Sequence, residues 1–238
     1  MDPADFNKDL GGTNTEQSAY SDMTISKDGR GNGNVVETLL KKGTIRSIGN
    51  NGAVLYMALP QDYDKACISY DVKFNAGFDW SLGGKLPGLE GVAPGVRPSA
   101  PSGGHPTSEG WSGRLMWLGQ GAYSWAASTN SVVSYMYHPG QEDRYGDNVR
   151  WNRSFIAGKW HTVKQCYTMN KVGQSNGVLQ AWMDGALVVD QHNFVYRTQG
   201  DVHINYIAWE LFRGGNTLDW AGDTDGYVDI DHVAVTSS

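Results

Sequence analysis

The stretch Leu179-Gln-Ala-Trp-Met-Asp-Gly-Ala-Leu-Val-Val189 decides the fold class. Two short alternating segments flank Asp184-Gly185, a dipeptide that suits the positive backbone angles of a tight hairpin turn. Pairing of 179–183 with 186–189 is the simplest outcome, and Asn50-Asn51-Gly52 marks a second turn. The same period of two recurs at 35–40, 53–58, 66–74, 113–118, 132–137, 160–169, 204–211 and 227–235, whereas helical periodicity is scarce. Many short strands without intervening helices predict an all-β chain: a jelly-roll sandwich of two antiparallel sheets with a concave cleft for an extended ligand.

The 238 residues are expected to form one domain, 1–238, because all-β sandwiches of this size commonly share a single core. Between Leu86 and Trp111 the chain turns rich in Gly, Pro and Ser. That composition could mark an interdomain linker, but the strands on either side would then lack partners, so a long functional loop is preferred. A net charge of −6 disfavours a broad nucleic-acid-binding surface, and no apolar run is long enough to span a bilayer. A local cationic pocket is still compatible with this balance, and the chain is expected to be monomeric.

Cys67 and Cys166 are the only cysteines and show no metal-ligand spacing, which argues against zinc and leaves open a disulfide or two buried thiols. The start Met1-Asp-Pro-Ala-Asp has no signal-peptide pattern, although a leader removed in maturation would leave the same sequence. The sequon Asn152-Arg153-Ser154 is compatible with secretion, and a secreted, extracellular protein is the expectation.

Three segments carry candidate chemistry. In Phe78-Asp-Trp-Ser-Leu-Gly-Gly-Lys-Leu-Pro-Gly-Leu89, glycines and a proline flank Lys85, which reads as a loop presenting a cation at a cleft mouth. In Trp111-Ser-Gly-Arg-Leu-Met-Trp117, Ser112 and Arg114 share one strand face and suit a planar carboxylate through hydroxyl and guanidinium donors. In Val132-Val-Ser-Tyr-Met-Tyr-His138, Tyr135 and Tyr137 share a face about 7 Å apart along the strand. Each alone also fits an ordinary surface or packing role; together they suit proton transfer beside a bound carboxylate.

The Gly-Gly-Lys-Leu-Pro-Gly-Leu segment, the Ser-x-Arg strand and the Tyr-x-Tyr strand, in this order and spacing, resemble the jelly-roll polysaccharide lyases of the family 14 and family 20 type. The resemblance extends over most of 66–235, through Trp160 to Asn170, Gln180 to Gly185, Phe212-Arg-Gly-Gly215 with Trp220, and Asp229-Ile-Asp-His-Val233. Length and the Phe212-Arg-Gly-Gly loop look most like fungal endo-β-1,4-glucuronan lyases, while the Lys segment and the tyrosine pair are shared with alginate lyases. The segment 121–130 is longer than expected in the alginate group.

The resemblance implies β-elimination on an anionic polysaccharide, glucuronan first and alginate as the alternative. It implies Lys85, Tyr135, Tyr137 and Arg114 as catalytic groups, with Ser112, Gln165 and Trp220 binding substrate. Jelly-roll relatives also imply a structural Ca²⁺ at Asp231 with backbone oxygens near the chain start; Asp223 and Asp225 form a second acidic turn. A noncatalytic carbohydrate-binding module could use the same cleft. A hydrolase would need a facing pair of carboxylates, which no strand pattern singles out.

Overall fold

The computed structural model describes residues 8, 14–27, 33–126 and 130–237. In chain order the strands are β1 (Asn14–Ala19), β2 (Met23–Ser26), β3 (Val35–Leu40), β4 (Ala53–Tyr63), β5 (Lys65–Phe74), β6 (Gly83–Val92) and β7 (Gly110–Leu118), followed by β8 (Ser131–Tyr137), β9 (Asp147–Ser154), β10 (Trp160–Thr168), β11 (Gly177–Met183), β12 (Ala186–Phe194), β13 (Ile204–Arg213) and β14 (Gly226–Thr236). A short 3₁₀ turn, Leu218–Trp220, precedes the last strand.

The strands form two seven-stranded antiparallel sheets, ordered β1-β4-β13-β6-β7-β8-β9 and β12-β11-β10-β5-β14-β3-β2, packed as a β-jelly-roll sandwich. The Asp184-Gly185 hairpin joins β11 to β12, with Asp184 at φ 50° and Gly185 at φ 82°. Alternation sorts each strand of the first sheet. Leu55 and Met57, Trp209 and Leu211, Leu115 and Trp117, and Val132 and Met136 enter the core between the sheets. Val54 and Tyr56, Glu210 and Phe212, Arg114 and Met116, and Tyr135 and Tyr137 face outward. Each large apolar side chain taken from water contributes about 1.5–3 kcal/mol, so this alternation fixes which face is left for a site.

The segment around Lys85 is not the loop expected from its glycines. It is β6, at the centre of the first sheet between β13 and β7. Its glycines permit close contact instead: a Cβ on Gly84 would lie 2.2 Å from the Trp117 ring, and one on Gly88 would lie 1.9 Å from the Gly113 carbonyl. Pro87, which cannot donate a ladder bond, sits where the β6–β7 register shifts between Leu86 and Gly88. Cys67 and Cys166 pair directly across β5 and β10 and form a disulfide.

Candidate active site

The outward faces of β4, β13, β6, β7 and β8 form the floor of a cleft of about 680 Å³. Cross-strand register assembles it: Phe212 lies opposite Lys85, Lys85 opposite Met116, and Arg114 opposite Tyr135. Loops raise the walls. The Gly/Pro/Ser-rich connection between β6 and β7 contributes Arg97 and Ser102, the β8–β9 connection Arg144 and Tyr145, and the segment after β13 Asn216 and Trp220. Asn216 Nδ2 donates to Tyr145 Oη at 3.2 Å, joining two of these loops.

A largely buried polar chain runs through the floor. Tyr56 Oη donates to Glu210 Oε1 at 2.6 Å, and Arg114 Nη1 donates to Glu210 Oε2 at 2.5 Å. The Arg114 guanidinium lies 5.4 and 5.2 Å from the ring centroids of Tyr135 and Tyr137. Its Nε and Nη2 make no hydrogen bond and are closed to solvent. Burial favours a neutral Glu210, but the Arg114 charge and the hydrogen bonds from Tyr56 and Arg114 outweigh it and hold the carboxyl below its ordinary range. Burial likewise opposes charge on Arg114, and Glu210 reverses that.

Lys85 stands above this chain. Its amine donates to the Gly214 carbonyl at 3.1 Å and lies 4.8 Å from the Tyr135 ring centroid, with Phe212 and Trp220 each at 5.9 Å. Burial, reinforced by the Arg114 charge and opposed by Glu210, lowers its pKa to about 7. The Tyr135 phenol is driven the other way, upward, by burial and then by Tyr137. The two hydroxyl oxygens are 3.5 Å apart; the Gly146 N–H donates to Tyr135 at 3.2 Å and the Gly104 N–H to Tyr137 at 2.8 Å. An amine whose pKa is lowered to about 7 therefore lies over the ring of a phenol that keeps its proton, the complementary pair that acid–base chemistry requires.

The match to the family model for polysaccharide lyase 14 runs over residues 29–233. The chain belongs to the polysaccharide lyase 14 family. Among solved members, the alginate lyase from Aplysia kurodai is 22% identical, with a TM-score of 0.79 over 91% of this chain and 87% of the other. The endo-β-1,4-glucuronan lyase from Trichoderma reesei shares the fold at 14% identity and a TM-score of 0.61, over 96% and 92% of the two chains. Exolysin of Paramecium bursaria Chlorella virus 1 is 24% identical over 198 residues, and the match spans 75% of this chain but 30% of that protein's length.

Within this family 14 fold, Lys85, Arg114, Tyr135, Tyr137 and Trp220 gather at one cleft. Ser112 does not reach it: the β6–β7 loop covers the hydroxyl, which donates to the Pro101 carbonyl at 2.6 Å. Gln165, on β10 of the other sheet, lies buried between the sheets and accepts from Ser134 Oγ at 2.5 Å. Arg114 is engaged by Glu210 rather than open as a carboxylate fork. Asp231 lies on β14 of the second sheet, with its carboxylate accepting from the His232 N–H. No cluster of three ligating side chains surrounds it among the described residues, and most of the chain start expected to supply further oxygens lies outside them.

Sequence reading missed Glu210, Tyr56, Arg46, Arg97 and Arg144, all of which line the cleft. Glu210 and Tyr56 were accessible in principle, as polar positions alternating with core residues on recognised strands. The rim arginines sit in loops, where no periodicity marks direction. Lys85, Arg114 and these three rim arginines set five basic side chains against Glu210 in the cleft of a chain whose net charge is −6.

Proposed function

We propose that the cleft binds a 4-linked polyuronate and cleaves it by β-elimination, with Lys85 as base and Tyr135 as proton donor. The placement of an amine lowered to about 7 over the ring of a phenol that retains its proton carries this reading. Neutral Lys85 takes the C5 proton, and the electron pair of the C5–H bond forms the C4–C5 double bond. The double bond forms as the C4–O4 bond breaks, its electron pair leaving with O4 while Tyr135 delivers its proton to that oxygen. Proton return from the Lys85 ammonium to the Tyr135 phenolate resets the site, and no water is added.

Charge that builds on the C6 carboxylate is met by the cationic cleft, with Arg114 fixed below and guanidinium groups on the rim. Base and acid share one wall, so proton removal and donation occur on the same face of the sugar. That geometry suits mannuronate and glucuronate, whose C5 hydrogen and C4 oxygen lie on one face, over guluronate, whose C5 centre is inverted. Glu210 is the one carboxylate among the described lining residues and is tied to Arg114, which leaves a hydrolase without its second carboxyl.

Alginate is placed first because the alginate lyase superposes more closely, at a TM-score of 0.79 against 0.61 for the glucuronan lyase. Glucuronan shares the required stereochemistry and stands second. The Cys67–Cys166 bridge supports an extracellular, oxidising location.

Ultraviolet absorbance of unsaturated ends, followed on mannuronate-rich alginate, guluronate-rich alginate and glucuronan in parallel, tests the proposal. Absorbance should grow on mannuronate-rich alginate faster than on guluronate-rich alginate. Binding without unsaturated ends on any of the three would replace the lyase with a carbohydrate-binding module.

A further inference from the structure

We infer that the edge of the first sheet carries a second, noncatalytic subsite for the same polyuronate chain, built by Trp125, Arg150 and Arg153. The inference rests on the polyuronate reading of the cleft. These residues line a separate cavity of about 420 Å³ outside the catalytic cluster. Trp125 belongs to the long segment between β7 and β8, whose Tyr123 and Trp125 pack against the outward apolar cluster that includes Met116, Leu118 and Val133. Tyr123 lines the catalytic cleft and Trp125 the second cavity. Their rings stack 5.3 Å apart at 18°, forming one aromatic wall between the two.

Register places Arg150 on the same line as the catalytic lysine. Lys85 pairs with Met116, Met116 with Val133 and Val133 with Arg150, so three strand spacings, about 14 Å, separate β6 from β9. The cleft itself runs across the strands, and a chain extended beyond its β8 side passes over Arg150. The Arg150 guanidinium is already oriented, lying 4.7 Å from the Trp125 ring centroid. A register shift between Ser131 and Val133, with Asn152 at φ 52°, brings Arg153 into the same cavity. No described carboxylate pairs with either arginine. An aromatic face beside two such guanidinium groups suits a sugar ring that carries a carboxylate and a largely apolar face.

Steady-state kinetics and affinity electrophoresis on polymannuronate, with Arg150→Ala and Trp125→Ala beside the parent protein, test this. Each variant should raise KM for the polymer about tenfold and weaken its retention in polymer-containing gels, with kcat unchanged. The shortest oligouronate that the parent cleaves should be turned over as before, and Arg150→Lys should recover part of the loss. Unchanged polymer KM and retention in both variants, or equal losses on polymer and short substrate, would overturn the subsite while leaving the lyase intact. A parent that neither binds nor cleaves polyuronate would overturn both readings.

Discussion

Arg114 and Glu210 form a buried ion pair, 2.5 Å apart, in the floor of the cleft, reaching across β6 from β7 to β13. The pair tunes Lys85 on top of burial: burial lowers the lysine's proton affinity most, Arg114 lowers it further and Glu210 partly restores it. Glu210→Gln removes the restoring charge and should move the rising limb of kcat/KM to lower pH than in the parent. It also leaves a buried guanidinium uncompensated, at a cost of about 3 kcal/mol in stability. A pH–rate profile and a denaturant melt of the same variant read the two effects separately; an unmoved limb would remove Glu210 from the control of Lys85.

Lys85→Ala should lower kcat by about 10²–10⁴, the usual range for loss of a general base. Lys85→Arg should not recover it, because a guanidinium stays protonated. Recovery by arginine in steady-state kinetics would show that charge, not proton removal, is what Lys85 supplies.

The two tyrosines should separate. Tyr135→Phe removes the proton donor and should cost at least about 10² in kcat. Tyr137→Phe removes a neighbouring hydroxyl and the acceptor for the Gly104 N–H, for about a tenfold loss. Single-turnover rates on a defined oligouronate compare them, and the reverse order would exchange their roles.

Strand positions were legible because burial enforces alternation. Arg114, Tyr135 and Tyr137 could be placed on outward faces from Leu115, Trp117, Val132 and Met136 alone. The setting of Lys85 is not legible from local pattern: Gly84 and Gly88 look like turn residues in isolation and are required by the approach of Trp117 and of the Gly113 carbonyl. Ser112 shares the face of Arg114, yet a distant loop supplies Pro101 to cap its hydroxyl. Gln165 alternates with Val163 and Tyr167 on the core face of β10, so its inward direction follows the strand pattern, and only its partner Ser134 on the other sheet depends on which segments meet. Such contacts depend on which segments meet, and local pattern does not encode them.

The disulfide should affect stability without touching chemistry. Cys67 and Cys166 join β5 to β10 in the sheet that does not form the cleft. Replacing both with serine should cost about 2–5 kcal/mol in a denaturant melt. Turnover by the folded variant at low temperature should match the parent; a large loss in kcat would tie the second sheet to the cleft more closely than the fold indicates.

The dependence of kcat/KM on pH for the parent protein tests the central claim most directly. A base must be neutral to act, so activity should rise with pH and level off through a single ionisation near 7, that of Lys85 in the free protein. Tyr135, held protonated by burial, should add no falling limb at neutral pH. The rising limb of kcat should lie higher than that of kcat/KM, because bound carboxylates favour the ammonium. A kcat/KM profile that is flat or falling between about pH 6 and 8 would contradict Lys85 as the base.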